Sequence, residues 1–244
     1  LKEKPELADE SIAVVFFMDI GLERTQQMFA DLNRYAIRPG RSLGLLYDHR
    51  DEEAKLTKAV VLKSFIFKNM IEMEKSSLAK RSRKLFTLSA IHGATKNLLA
   101  NLEIESFDER VELAKDFWEE IAKQFKEWTF VLEGEMSAGE VREDFVHSHG
   151  ITLHALGNVG NTLILKHPKG WRRIVKKIKT ISWLRSNSNL WEGRSMIGGK
   201  MAMASHNITL ATNAIKSQLK IPLTQEEKHV ENSFQRGEYE KKNK

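Results

Sequence analysis

Apolar residues recur at helical spacing along most of the chain, but one short segment forms an unbroken apolar run. That run, Ile-Ala-Val-Val-Phe-Phe-Met at 12–18, is rich in β-branched and aromatic residues and has polar neighbours, which predicts a buried strand. A helix is predicted next, from about residue 23 to 35, and Pro39-Gly40 ends it. The pattern predicts an α+β fold that is predominantly α-helical.

Helices dominate the remaining pattern. Apolar residues at helical spacing predict helices over 51–73, 78–101, 106–128 and 171–184. Capping-box sequences, in which a serine and a glutamate three residues later satisfy each other's backbone donors, mark helix starts at Ser106 and Ser137. The Gly-, Thr- and Asn-rich segment 150–160 predicts a turn between helices, and 186–205 predicts a long loop. Closing helices are predicted over 208–219 and from Thr224.

Composition narrows the classes of function. The 244 residues carry a net charge of +6 and a pI of about 9.3, which favours an anionic partner such as nucleic acid. The absence of cysteine excludes disulfides, thiolate metal sites and a cysteine nucleophile. No apolar run approaches the roughly 20 residues that span a bilayer, so we expect no membrane partner and a cytoplasmic, nucleoid-associated protein.

The start of the chain is unusual. It begins Leu1-Lys2-Glu3-Lys4-Pro5, without an initiator methionine or the apolar region of a signal peptide. We therefore expect that a further segment precedes Leu1 in the full protein.

The strongest charge pattern lies in the predicted helix 171–184. Its apolar residues fall on one face, and no acidic residue occurs between Lys166 and Arg185. A phosphate backbone matches such a face, because each cation that contacts a phosphate releases counterions. The residues predicted to contact DNA here are Lys169, Arg172, Arg173, Lys176, Lys177 and Lys179. A merely solvated basic face is the alternative.

A second basic run lies at the predicted start of the helix 78–101. The helix dipole disfavours cations there, so a stabilising partner is expected, either phosphate or an acidic neighbour such as Glu72 or Glu74. We predict a second DNA contact by Lys80, Arg81, Arg83 and Lys84.

Other candidate sites are weaker. Asp144, His147, His149 and His154 lie close together in sequence, but their spacing is not that of a known metal site, and no metal is predicted. His49, next to Asp48, has the neighbour that orients a general base, but no nucleophile pairs with it. Neither glycine-rich phosphate-loop pattern occurs. The five tryptophans are expected in the core.

Several segments together resemble the DGQHR-domain family, and most closely its DndB members, which take part in DNA sulfur modification. The matching segments are 13–17, 26–34, 38–39, 42–43, 47–51, 80–91 and 190–194. The resemblance implies a ParB-like N-terminal part and a role in bacterial phosphorothioation, in which sulfur replaces a non-bridging phosphate oxygen of DNA. It also implies three parts: the end of a DGQHR/ParB-like domain at 1–52, a helical domain at 53–236 and a charged tail at 237–244.

The family signature Asp-Gly-Gln-His-Arg does not occur in this sequence. If it lies upstream, the chain carries the other half of a composite site, whose candidate residues are Gln26, Asn33, Arg34, Arg38, Asp48 and His49. Asn33 alone is equally typical of a helix end. Any nucleotide-dependent activity would need the signature.

The resemblance and the basic helix predict a DNA-binding repressor of a bacterial phosphorothioation operon. Its expected partner is duplex DNA at the operon promoter, it is expected to form a homo-oligomer, and no cofactor is predicted. Two alternatives stay open. One is a nucleotide-hydrolysing component, for which a nucleotide would be the cofactor and Asn33, Arg38 and His49 would belong to the site. The other is a docking protein whose basic face meets the modification enzymes.

Overall fold

The structure, a computed structural model, describes residues 14, 16, 21–36 and 40–238. Helices dominate it, in agreement with the predicted fold class. They are α1 Leu22–Ala36, α2 Arg41–Tyr47, α3 Glu52–Lys63, α4 Phe65–Met70, α5 Leu88–Leu99, α6 Phe107–Ala122, α7 Lys126–Glu133, α8 Ala138–Asp144, α9 Gly150–Lys166, α10 Trp171–Val175, α11 Ser188–Trp191, α12 Ser205–Gln218 and α13 Gln225–Gln235. The strands are β1 Ile71–Glu72, β2 Phe86–Thr87, β3 Met196–Ile197 and β4 Lys200–Met201. β1 pairs with β2 in parallel, and β3 pairs with β4 antiparallel.

The helices α5 and α9 form the most extensive packed pair, and α12 covers α9. Here the sequence-based turn at 150–160 is wrong, because those residues begin a buried 17-residue helix. The glycines serve close helix packing instead of a turn. A Cβ on Gly157 would lie 2.3 Å from the carbonyl oxygen of Ala94, so only glycine lets α9 approach α5 so closely.

Two predicted long helices are interrupted. The helix predicted over 51–73 breaks at Ser64, which ends α3 and caps α4 by accepting the N–H of Phe67 at 3.3 Å. The helix predicted over 78–101 begins only at Leu88, capped by Thr87. Residues before it form a loop and then β2, because Phe86 pairs with Ile71. The basic run therefore does not lie at a helix start.

The later elements follow the predictions in part. Helix 106–128 is split into α6 and α7, and helix 171–184 is shortened to α10 and a 3₁₀ turn, Ile178–Thr180. The predicted loop contains α11 and the β3–β4 hairpin. The closing helices are confirmed as α12 and α13. Full capping boxes form at Ser137 and Thr224; at Ser106, the described contacts include only the serine half, Ser106 Oγ accepting the Glu109 N–H.

The N-terminal prediction is tested least. Of the strand predicted at 12–18, only Val14 and Phe16 are described; neither lies in a strand and both side chains are exposed. The ParB-like strand-helix unit and the three-part domain division stay predictions. The helix after it is confirmed as α1.

Aromatic side chains fill the centre of the core. All five tryptophans are buried, as predicted: Trp118, Trp128, Trp171, Trp183 and Trp191. Their rings contact one another and neighbouring phenylalanines, as in the stacked pair Trp183–Trp191, whose centroids are 5.1 Å apart. None of the described helices is long and apolar enough to cross a membrane.

Candidate nucleic-acid interface

The basic face is formed by α10, the residues flanking it and the 3₁₀ turn. Trp171, Val175 and Ile178 are buried on one side, and the Trp171 ring packs 5.7 Å from the Phe117 ring of α6. The opposite side presents exposed cations, as the helical spacing predicted. We call the following residues the basic face: Lys169, Arg172, Arg173, Lys176, Lys177 and Lys179.

Part of this face borders a groove of about 520 Å³. Arg173 and Lys177 lie on one side of it, the end of α9 contributes Lys166 and His167, and Lys220 follows α12. No acidic residue lines the groove. Within residues 40–238, no carboxylate forms an ion pair with any of these lysines or with Arg173, so their charges are available to an anionic ligand.

Arg172 differs from its neighbours. Its Nη2 donates to Asp116 Oδ2 at 2.8 Å, and its guanidinium carbon lies 4.4 Å from the centroid of the Trp171 ring. Both contacts fix the side chain against the protein surface. Arg172 is therefore the member of the basic face least free to contact a phosphate.

The second basic run lies in a loop that Arg142 of α8 holds in place. The guanidinium donates to the carbonyl oxygens of Ala79 at 3.1 Å, Lys80 at 3.0 Å and Ser82 at 3.3 Å, and also to that of Lys84. A single planar donor group with several N–H bonds suits a loop whose carbonyls converge. Arg142 therefore anchors this loop through its backbone carbonyls.

The cations of this loop are unequal. Lys80 Nζ pairs with Glu143 at 2.9 Å, and Lys84 Nζ donates to the carbonyl oxygen of Asn69 at 2.7 Å. Arg81 and Arg83 are exposed on a cleft of about 800 Å³ whose lining also includes Glu140 and Glu143. The acidic neighbour of Lys80 is thus Glu143, whereas Glu72 accepts the backbone N–H groups of Glu74 and Lys75.

The composite family site is described in part. Its Gln26 and His49 meet: Gln26 Oε1 lies 2.9 Å from His49 Nε2, and Glu23 Oε1 lies 3.6 Å from His49 Nδ1. Asp48 accepts the backbone N–H groups of Arg50 at 2.9 Å and Asp51 at 3.1 Å. The side chains of Asn33 and Arg34 and all of Arg38 lie outside the described residues.

A comparison with protein families adds the decisive observation. The model of the DndB family, described as DNA-sulfur modification-associated, matches residues 1–222. The chain belongs to the DndB family. The match includes the basic face, the loop held by Arg142 and the described part of the composite site. Comparisons with curated proteins and with solved structures found no match.

The last of the resembling segments, 190–194, has a structural role in this DndB-family chain. Arg194 forms a two-pronged ion pair with Glu231 of α13, with N–O distances of 2.8 and 2.6 Å. Its guanidinium carbon also lies 4.5 Å from the centroid of the Phe234 ring. These contacts hold α13 against the segment that follows α11.

The histidines near 150 contact aromatic rings and backbone groups. In the parts of the chain that the structure describes, no group of three or more histidine or acidic side chains is arranged to hold a metal ion. His147 is stacked between Phe125 and Phe145, and its Nδ1 accepts the Trp128 Nε1–H at 3.1 Å. Because tryptophan only donates, the His147 proton is on Nε2, which lies 3.4 Å from Glu127 Oε2, too poorly aligned for a hydrogen bond.

A polar cleft of about 460 Å³ was missed by the sequence reasoning. It lies where α5 and α9 begin, and its lining includes Arg41, Ser89, His149 and His154. Burial lowers the pKa of His149 and of His154 to about 4, and the charge of Arg41 adds to the lowering at His154. Both rings are therefore neutral at pH 7. These residues come from segments far apart in sequence, and no spacing rule joins them.

Proposed function

We propose that this DndB-family chain is a DNA-binding regulator that represses a phosphorothioation operon. The basic face and the groove beside it grip the DNA backbone. The family's association with DNA sulfur modification supports the biological setting, and the surface charge supports the mode of binding.

The groove carries this proposal. Arg173, Lys177, Lys166 and Lys220 surround a concave surface that no acidic residue lines. Solvated basic helices normally carry carboxylates among their cations, and those carboxylates would repel phosphates. In this groove no carboxylate repels a phosphate. A run of DNA-backbone phosphates is therefore the ligand that matches its charge.

Phosphate contacts of this kind position a protein on DNA but do not read its sequence. Promoter recognition would need further contacts with base edges. Arg81 and Arg83 are candidates for additional backbone contacts, weakened by Glu140 and Glu143 in the same cleft.

The test is DNA binding over a salt series with the variant Arg173→Ala/Lys177→Ala/Lys220→Ala. Each lost phosphate contact should lower the slope of log K against log salt by about one unit, so the slope should fall by about three. Arg172 is left unchanged because Asp116 and Trp171 already engage it.

A charge-matched control removes three exposed lysines from other helices, Lys55→Ala/Lys68→Ala/Lys96→Ala. Both variants lose three charges, so a general charge effect would change both slopes alike. An unchanged slope in the groove variant would remove the groove from the proposal.

The second part of the proposal, repression of the operon, needs a separate measurement. The promoter of the chain's operon, fused to a reporter, should be more active in cells that carry the groove variant than in wild-type cells. Equal activity, with DNA binding lost in vitro, would contradict repression while leaving DNA binding intact.

A docking protein for the modification enzymes is the competing function, because an acidic protein surface would also match the groove. That role predicts binding to those enzymes with no retention of duplex DNA at moderate salt. The same salt series therefore separates the two functions.

A further inference from the structure

The polar cleft where α5 and α9 begin is separate from the basic face. Its polar lining includes Arg41, Ser76-Ser77, Thr87 with Ser89, Arg142, and Ser148-His149 with His154. Leu78 and Met203 add apolar surface. None of the residues that line it is acidic, although the chain has 33 acidic residues.

Arg41 is the one strong cation in this lining that is free to bind a ligand. Arg142 also lines the cleft, but its guanidinium is engaged by the carbonyl oxygens of the loop 79–84. Arg41 is exposed, and no described carboxylate pairs with it. Arg41 lines the cleft together with His154, and its charge helps to lower the pKa of that histidine.

Hydroxyl groups provide directional contacts beside Arg41. Ser42 Oγ lies 3.2 Å from Ser89 Oγ and accepts the Ser89 backbone N–H at 3.2 Å. Thr87 Oγ1 lies 3.1 Å from Ser89 Oγ. A hydroxyl both donates and accepts, so Ser89 can turn its proton toward an anion while its neighbours keep their own bonds.

The two histidines that line the cleft are closely packed against other elements. The His154 ring lies directly over Gly93 of α5, where a Cβ would be 2.3 Å from His154 Cε1. His149 Nε2 lies 2.8 Å from the carbonyl oxygen of Arg142 and donates to it when the ring is neutral. No side chain caps the start of α9, whose first residue, Gly150, also lines the cleft.

We propose that this cleft binds a small phosphate monoester. Arg41 and the hydroxyl of Ser89 hold the phosphate group, and the organic part lies against Leu78 and Met203. Arginine pairs with phosphate through two parallel N–H donors, and a lining without carboxylates favours a dianion. A volume of about 460 Å³ exceeds the needs of a free phosphate ion and lies in the usual range of small-molecule sites.

Calorimetric titration of the whole chain tests the proposal, with phenyl phosphate, inorganic phosphate and phenol as probes. Phenyl phosphate should bind saturably at one site, more tightly than inorganic phosphate, and phenol should not bind. Arg41→Gln should weaken phenyl phosphate binding at least about tenfold, because a charge-assisted pair is lost. Ser89→Ala should weaken it less.

The matched control is Arg24→Gln, which removes the same charge from an exposed arginine of α1 that does not line the cleft and should bind phenyl phosphate as the wild type does. The groove variant should also bind it normally, which separates this site from the DNA-binding proposal. Absence of saturable phenyl phosphate binding would overturn the proposal. So would wild-type affinity in Arg41→Gln, or inorganic phosphate binding as tightly as phenyl phosphate.

Discussion

The basic face and the loop at 79–84 look alike in sequence, since each is a short run of lysines and arginines interrupted by few other residues. In the structure they differ in what surrounds the charges. The basic face lies over a buried apolar side, and its cations, apart from Arg172, meet no described carboxylate. The loop is held by Arg142, and two of its four cations already contact Glu143 or a backbone carbonyl. A run of cations indicates a binding surface only where the fold leaves the charges unpaired.

The basic face depends first on the packing beneath it. Trp171→Ala removes a buried indole that contacts Phe117, and such truncations cost about 4 kcal/mol of unfolding free energy. Urea denaturation followed by circular dichroism measures the loss. A change below about 1 kcal/mol would mean that α10 is not anchored by its apolar side.

The loop depends instead on one polar anchor. Arg142→Ala leaves several loop carbonyls without their charged donor, so we expect a loss of about 3 kcal/mol in the same denaturation experiment. Arg142→Lys should recover little, because an ammonium group cannot reach the same set of acceptors. Full recovery with lysine would show that charge alone holds the loop.

Acid should lower the stability of the fold through His149, whose Nε2 lies 2.8 Å from the backbone carbonyl oxygen of Arg142. The pKa of His149 is lowered to about 4 in the fold, while an unfolded histidine titrates near its usual value of about 6.5. The unfolded chain therefore binds more protons between these values. The stability contribution is complete above about pH 6.5 and is lost as the pH falls toward 4. At pH 5 the loss for this one histidine is about 2 kcal/mol.

Melting temperatures at pH 7 and pH 5 measure this effect, and His149→Gln is the control, because a glutamine amide can still donate to the Arg142 carbonyl without titrating. The variant should lose less stability on acidification than the wild type. Equal losses would assign the acid sensitivity to other groups.

The salt dependence of DNA binding should differ between variants of the basic face and variants of the loop at 79–84. Arg81→Ala/Arg83→Ala removes the exposed cations of the loop, and the salt slope should fall by less than about one unit, because Glu140 and Glu143 already repel phosphates there. A fall as large as that of the groove variant would make the two surfaces equivalent.

The smallest effect is expected at Lys80. Its pair with Glu143 is exposed on both sides, and such pairs contribute little, so Lys80→Ala should change the unfolding free energy by less than about 0.5 kcal/mol. The slope of DNA binding should stay at its wild-type value. A clear change in the slope would show that Lys80 leaves Glu143 to contact DNA.

Much of the fold follows from sequence pattern. The helical class, the helix after the predicted strand, the closing helices and the burial of all five tryptophans were predicted correctly. The errors lie where a residue type has two structural uses. The glycine-rich pattern at 150–160 predicts a turn, but these glycines permit close packing of α9 on α5. A periodic pattern also cannot show that Ser64 ends one helix and caps the next.

For the candidate sites too, local sequence pattern predicts one part and not the rest. The exposure of the basic face follows from helical spacing alone, since apolar residues at that spacing must bury the opposite side. The groove needs Lys166 of α9 and Lys220, which follows α12, and the polar cleft joins Arg41 to His149 across more than a hundred residues. No local pattern contains those contacts.

By itself, the sequence determined the family, the helical class and the face of the 171–179 segment that meets solvent. These depend on local periodicity and on motifs that are contiguous in the chain. Only the tertiary structure decided which cations are free, because a charge is neutralised or left available by neighbours that are distant in sequence. It likewise decided that Arg142 holds the loop and that Arg41 faces a cleft without carboxylates.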